Sequence, residues 1–253
     1  MWPFSRKSFL DADDETWQLE TWACFLRHFG GVADLKLSPL VTPTSEFFPP
    51  TNATDNARAQ HIFECVRSHA GMLDWPCKLI AQPVRPESRV SEFVFLSPLH
   101  KGMPLGTFDV SENEIAITYD PGSLNDSVTL VATFAHELAH YRLAPLIEDL
   151  PGGHGMHEFA TDLMTVYMGF GLFGANRAFN FAQHQSFMGQ GWGWSRQGYL
   201  PERAWTFGLA TFLHLRGESV RKARSYLKPH LYSDLRKAKR YLERRPAVTA
   251  GLR

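Results

Sequence analysis

Hydrophobic side chains recur at near-helical spacing in several stretches of the chain. In residues 14–29, Trp17, Trp22 and Phe25 follow this spacing until Gly30 interrupts it, a pattern typical of an amphipathic helix. The same periodicity predicts further helices over residues 57–70, 127–143, 157–169, 203–216, 219–227 and 233–245. We therefore expect a mostly helical protein.

Three short segments have the composition of β-strands, residues 76–82, 91–96 and 113–119. In the last of these, Ile115, Ile117 and Tyr119 alternate with other residues, as in a strand with one buried face. Helices combined with a short twisted sheet predict an α+β fold. With 253 residues, of which 44% are hydrophobic, the chain can bury one substantial core. We expect one main domain over residues 1–200 and a helical part over residues 201–253 that packs on it.

Charge is distributed unevenly along the chain although it sums to zero. From His214 to Arg253 there are 12 Lys and Arg but 3 Asp and Glu, whereas the residues before have 14 and 23. A C-terminal part of charge +9 thus follows a body of charge −9. The asymmetry indicates either a solvated helix face on the acidic body or an acidic, nucleic-acid or membrane partner. No nucleic-acid-binding motif is present, so a nucleic-acid partner is not expected.

Targeting signals and cysteine pairs are not evident in the sequence. The opening residues lack the apolar core of a secretory signal, and no stretch approaches the roughly 18 apolar residues of a spanning helix. The three cysteines, Cys24, Cys65 and Cys77, are widely spaced without a Cys-x-x-Cys pair, which predicts reduced thiols. We expect a cytoplasmic protein without a membrane span.

The helix predicted from residue 127, which Asp126 or Ser127 is suited to cap, contains the pattern His-Glu-x-x-His at His136, Glu137 and His140. Residues four apart share one helix face, so two imidazoles can bind one zinc ion while the glutamate lies beside the open coordination position. The rest of this helix is apolar, and a buried helix carries such polar groups only if something satisfies them. The pattern therefore predicts a metal site.

The second helix of this region begins with His157 and contains Glu158 and Asp162, one turn apart. Together with the His-Glu-x-x-His helix, this spacing resembles the gluzincin family of zinc peptidases. The resemblance implies a zincin-like fold and one Zn²⁺ per chain, bound by His136, His140 and Glu158. It also implies that Asp162 orients a ligating histidine through a hydrogen bond, and that Glu137 is the general base.

The residues alone do not decide which side chain is the third metal ligand. The metzincin pattern would need glycine and histidine where the chain has Leu143 and Leu146, so it is excluded. An aspzincin-like arrangement would make Asp162 the ligand, and His154 or His157 could also bind. Glu158 remains the favoured assignment.

Several further segments are candidates for the substrate site. Zincins generally bind peptide along a strand near the motif helix. Residues 113–119 are therefore either the strand with which substrate pairs or a paired interior strand. The stretch 189–200, with Trp192 and Trp194, suits an aromatic wall, a lid or a buried anchor. A donor to the developing oxyanion is expected, and the candidates are His154, Tyr167, His214 and His230.

These features predict a zinc peptidase that hydrolyses peptide bonds of a peptide or protein substrate. Two other functions fit the same residues: a selective regulatory protease with a single protein target, and a non-catalytic zinc-binding regulatory protein. A structural zinc site usually has four protein ligands and no need of a base, so the presence of Glu137 favours catalysis.

Overall fold

A computed structural model of the chain describes residues 8–83, 106–111, 114–185 and 199–252. Before the motif helix come α1 (Ala12–His28), α2 (Gly31–Leu35), α3 (Asp55–His69) and three strands, β1 (Lys78–Ala81), β2 (Gly106–Ser111) and β3 (Glu114–Tyr119). The helices α4 (Ser127–Leu143), α5 (His157–Tyr167), α6 (Gly171–Gln185), α7 (Glu202–Leu215) and α8 (Pro229–Glu243) follow. The fold is α+β, as predicted.

The three strands form one mixed sheet in the order β1-β3-β2. β1 is parallel to β3, with Lys78 opposite Ala116, and β2 is antiparallel to β3, with Gly106 opposite Tyr119. β3 is therefore a paired interior strand, and its backbone is not free to take up a substrate strand. Of the predicted strands, residues 76–82 and 113–119 are confirmed within a few residues, and residues 91–96 lie outside the described ranges.

Helix α4 lies at the centre of the molecule, packed against α3, α5, α6 and the sheet. The Asp126 carboxylate caps it by accepting hydrogen bonds from the Thr129 backbone N–H at 3.0 Å and hydroxyl at 2.6 Å. Phe134 of α4 packs edge-on against Phe63 of α3 and Tyr119 of β3. Burial on nearly all sides explains why apolar residues surround the motif, and it holds the motif histidines on a rigid support.

The connection from α4 to α5 consists of two 3-10 helices, Ala144–Asp149 and Gly153–Met156. Gly152 between them adopts a φ of 82°, which favours glycine. The indole N–H of Trp17 donates to the Pro151 carbonyl at 2.8 Å and ties this connection to α1. The chain thereby turns back so that α5 packs against α4. This packing is expected if both helices contribute residues to one metal site.

In the C-terminal half one helical prediction is wrong, and another is confirmed with an earlier start. Residues 219–227 contain only the short 3-10 helix Val220–Ala223, capped by Ser219, and α8 begins at Pro229 rather than at Ser233. Helix α6 was not predicted, because Gly171 and Gly174 lower its helical propensity. Packing accounts for it, since a β-carbon at Gly174 would overlap the Trp205 ring.

The C-terminal helices use their apolar faces for packing. α7 is almost entirely buried against α5, α6 and α8, and α8 contributes a buried stripe of Leu231, Leu235, Ala238 and Leu242. The Tyr241 hydroxyl donates to the buried carboxylate of Glu15 in α1. Across the described ranges, none of the helices has the length and apolar character to cross a membrane. The division of the chain at residue 200 stays a prediction.

Candidate metal centre

Helices α4 and α5 bring three potential metal ligands together. His136 Nε2 lies 3.1 Å from His140 Nε2, and Glu158 Oε2 lies 3.4 Å from the former and 3.5 Å from the latter. His136 is buried and His140 half-buried, whereas the Glu158 side chain is 44% exposed. The three residues form a group able to hold a metal ion, with the carboxylate on its solvent side.

The separations of these three atoms fit a tetrahedral ion. Zinc bonds to imidazole nitrogen and carboxylate oxygen are about 2.0 to 2.1 Å long, which places neighbouring ligand atoms about 3.3 Å apart in a tetrahedron. The separations of 3.1, 3.4 and 3.5 Å lie close to this value. Within the described ranges, two imidazoles and one carboxylate leave a fourth position of the tetrahedron open, which is typical of catalytic rather than structural zinc sites.

Asp162, one turn after Glu158 on α5, holds His136 in orientation. Its Oδ1 lies 3.1 Å from His136 Nδ1, and its Oδ2 accepts a hydrogen bond of 2.8 Å from the Leu200 backbone N–H. Only 3% of this residue is exposed. A carboxylate that accepts the Nδ1 proton fixes the tautomer with Nε2 free to bind metal. Asp162 therefore contacts the side of His136 that faces away from the ligand group.

Thr161 holds the second histidine, a role that the sequence did not indicate. Its hydroxyl donates to the His157 carbonyl at 2.9 Å, and its oxygen lies 3.2 Å from His140 Nδ1. With its proton already donated, the hydroxyl oxygen can accept from His140 Nδ1–H. Both imidazoles thus present Nε2 to the same point.

Hydrogen bonding between the ligands shifts their pKa values in opposite directions. Burial lowers the pKa of His136, but its hydrogen bonds with Asp162 and Glu158 outweigh burial and raise it to about 10. Burial raises the pKa of Glu158, but hydrogen bonds from His136 and His140 outweigh it, and the pKa is lowered. Without a metal ion, the group therefore holds a proton between histidine and carboxylate, which a bound cation would replace.

Glu137 is buried on α4 next to the first ligand. Burial raises the pKa of its carboxyl group, while the neighbouring His136 and His140 act in the opposite direction. Arg177 of α6 is half-buried, donates to the Thr133 hydroxyl at 3.2 Å and interacts electrostatically with Glu137. A buried carboxyl group with a raised pKa is a candidate for proton transfer.

Tyr199 is a second residue that the sequence did not single out, although it lies in the stretch 189–200. Its ring centroid is 5.7 Å from that of His136, and the hydrogen bond of Leu200 to Asp162 fixes the adjacent backbone. Burial and the nearby carboxylate of Glu158 raise the pKa of Tyr199, so its hydroxyl keeps its proton. Trp192 and Trp194 lie outside the described residues.

The rival third ligands lie elsewhere around the centre. The His157 ring packs 4.9 Å from the His140 ring, and its buried Nε2 has no hydrogen-bond partner among the described residues. Burial and the proximity of His140 lower its pKa. His154 is exposed and lies 3.3 Å from Glu148. Neither histidine belongs to the group that His136, His140 and Glu158 form.

The four residues considered as oxyanion donors have other partners. Tyr167 donates to the Phe29 carbonyl at 3.2 Å, within an aromatic cluster of α1. His214 lies 3.4 Å from the Thr249 hydroxyl, and His230 lies 3.3 Å from Glu202. His154 is paired as described above. Tyr199 is the better candidate because its ring lies against that of His136.

Helices α4 and α5 thus bring together a group of side chains that could hold a metal ion. No protein-family model, no curated protein and no solved structure matches this chain.

Proposed function

We propose that the protein is a zinc-dependent peptidase with a gluzincin-like site and a zincin-like arrangement of sheet and helices. One observation supports this most strongly: three ligand atoms from His136, His140 and Glu158 are spaced for one tetrahedral ion. The donor set of two imidazoles and one carboxylate, with a buried glutamate between the histidines in sequence, is that of a catalytic zinc site.

When bound, zinc would supply a Lewis acid that polarises a carbonyl and lowers the pKa of water towards about 7. Glu137 accepts the proton that the attacking water loses as its oxygen bonds to the peptide carbonyl carbon. The same carboxyl group then passes this proton to the amide nitrogen as the C–N bond breaks. The raised pKa of Glu137 favours this return step.

Tyr199 stabilises the charge that develops on the carbonyl oxygen. Its hydroxyl is protonated, since its pKa is raised, and its ring lies against His136. The Leu200 to Asp162 hydrogen bond fixes the backbone beside it. A donor held before the reaction begins needs no rearrangement in the transition state.

Substrate would add to the sheet at an edge strand, since β3 is paired on both sides. β2 is the edge strand that packs against α4, and we propose it as the strand to which substrate adds. Main-chain hydrogen bonds at such an edge read sequence weakly. This fits a general peptidase, and a protease with a single target would need contacts beyond the strand.

A non-catalytic zinc-binding role is less consistent with the site. Burial of the ionisable Glu137 costs free energy, for which a structural site gives no reason, and a structural zinc would be expected to have a fourth protein ligand. Among the described residues, the group has three members.

Zinc content and zinc-dependent hydrolysis test the proposal together. The purified protein should contain about one zinc per chain, and chelation followed by zinc addition should remove and restore cleavage of a peptide library. His136→Ala should lose both metal and cleavage. His28→Ala, at a half-exposed histidine that pairs with Asp149, is the matched control and should retain both. A protein that takes up no added zinc would contradict the proposal.

A further inference from the structure

A basic groove lies between the 3-10 helix Val220–Ala223 and α8. One hollow of about 650 Å³ is lined by Arg221, Arg224 and Arg236. A second hollow of about 400 Å³ shares Arg236 with the first and is also lined by Lys239 and Arg240 and by the acids Glu218 and Glu243. We call these two adjoining hollows the basic groove. Its residues belong to neither of the helices that hold the metal ligands.

The four groove arginines are exposed and lack acidic partners in the described part of the chain. Each acidic residue of the C-terminal part pairs with another residue of that part: Glu218 with Arg216 and Lys222, Asp234 with Lys237, and Glu243 with Lys239. Glu218 and Glu243 line the second hollow but pair with residues other than the four arginines, so the charge of these arginines is not neutralised by a direct ion pair. The C-terminal helices dock through apolar residues instead.

A bilayer surface does not fit this groove. Leu231, Leu235 and Leu242, the apolar side of α8, are buried inside the protein. An interfacial helix needs an apolar face that can enter the lipid, and α8 has none left.

A nucleic acid fits better than an acidic protein. Protein interfaces depend on buried apolar or aromatic anchors, and no strongly exposed large hydrophobic side chain of the described residues lies in the groove. The groove offers instead four guanidinium groups, which bind phosphate through paired hydrogen bonds. The partly exposed Tyr232 also lines it, and such a ring can stack on a base.

We propose that the basic groove binds the phosphate backbone of a nucleic acid, independently of base sequence. Arg236 and Arg240 lie one turn apart on α8 and project from the same face, while Arg221 and Arg224 line the wall formed by the turn. The uneven charge along the chain did not lead us to expect a nucleic-acid partner, because the four arginines are brought together only by the fold. The proposal does not depend on the peptidase activity.

Salt dependence gives the proposal a magnitude. Four phosphate contacts predict a slope of log affinity against log salt of about −3.6 for duplex DNA and about −2.8 for a single strand. Loss of one contact should reduce the slope by about 0.7 to 0.9. Different base sequences should give the same affinity.

Fluorescence anisotropy of labelled duplex and single-stranded oligonucleotides, with the full chain at several salt concentrations, measures these slopes. Arg221→Gln and Arg236→Gln should each weaken binding and reduce the slope by the amount of one contact. Lys237→Gln is the matched control, because it removes the same charge from the next residue of α8. Lys237 pairs with Asp234 outside the groove, so its loss should leave the slope unchanged.

Four results would overturn the proposal. These are no binding at low salt, an equal loss of slope in Lys237→Gln, tighter binding of polyglutamate than of either oligonucleotide, and tighter binding of anionic phosphatidylserine vesicles. The third would indicate an acidic protein partner and the fourth a membrane surface. Circular dichroism of each variant excludes unfolding as the cause, since all three side chains are exposed.

Discussion

Replacement of Asp162 by alanine separates the residues that bind the metal from those that orient its ligands. The carboxylate is 3% exposed and accepts hydrogen bonds from His136 Nδ1 and from the Leu200 backbone N–H. Loss of a carboxylate that orients a metal-bound histidine typically lowers metal affinity by about 10 to 100-fold, or about 1.4 to 2.7 kcal/mol. Glu158→Ala, by contrast, removes a ligand and should lose most of the zinc.

The two variants should also differ in stability. Asp162→Ala leaves the Leu200 N–H buried without an acceptor, which should lower the free energy of unfolding of the metal-free protein by about 1 to 3 kcal/mol. Glu158 is 44% exposed, so its removal should change that free energy much less. Asp162→Asn should fall between wild type and alanine, because both partners are donors and the amide has one acceptor oxygen.

Competition against a chromophoric chelator at fixed pH measures the zinc affinity of all three variants, and urea denaturation followed by circular dichroism measures stability. Asp74→Ala, at an exposed aspartate, is the matched control. If Asp162→Ala empties the site while Glu158→Ala keeps its zinc, the assignment is wrong and Asp162 is the ligand. Equal, mild losses would point to His157 as third ligand.

Three other predictions follow from the same structure. Tyr199→Phe should lower kcat by about 100 to 1,000-fold with little change in zinc content, because one donor to the oxyanion is lost; unchanged kcat in steady-state assays would exclude that role. Gly174→Ala should lower the free energy of unfolding by about 1 to 3 kcal/mol, since its methyl group would overlap the Trp205 ring; thermal denaturation without such a loss would contradict the packing of α6 on α7. Chelation of zinc should lower the Tm of the wild type but not of His140→Ala, because zinc stabilises only a folded chain that binds it; equal shifts in a melting assay would show that the chelator acts elsewhere.

The centre of the molecule was predictable because its sequence signals are local. Three signals come from one helix: the apolar periodicity of α4, its cap at Asp126 and the spacing of His136 and His140. Glu158 and Asp162 follow on the next helix, and the structure brings both to the predicted histidines. Short connections leave few ways to arrange two such helices.

Other features depend on contacts between residues that are distant in the chain. Helix α6 forms in spite of Gly174 because Trp205 packs onto that glycine. The helical propensities of the α6 residues do not reveal this contact. Thr161 and Tyr199 acquire their places only when α5 and the segment before α7 meet α4. The segment 219–227 has a helical period, yet it forms only a turn before Pro229, which begins α8.

Hydrolysis by Glu137→Gln, compared with wild type at equal zinc occupancy, tests the central claim most directly. The amide keeps the size of the buried side chain but cannot accept a proton from water, so the variant should bind about one zinc per chain and retain its fold. Glu148→Gln, an identical change at an exposed glutamate of the helix connection, should cleave a peptide library at the wild-type rate. Glu137→Gln should lose cleavage while it still binds zinc and substrate. Cleavage at the wild-type rate by the zinc-loaded variant would contradict this prediction.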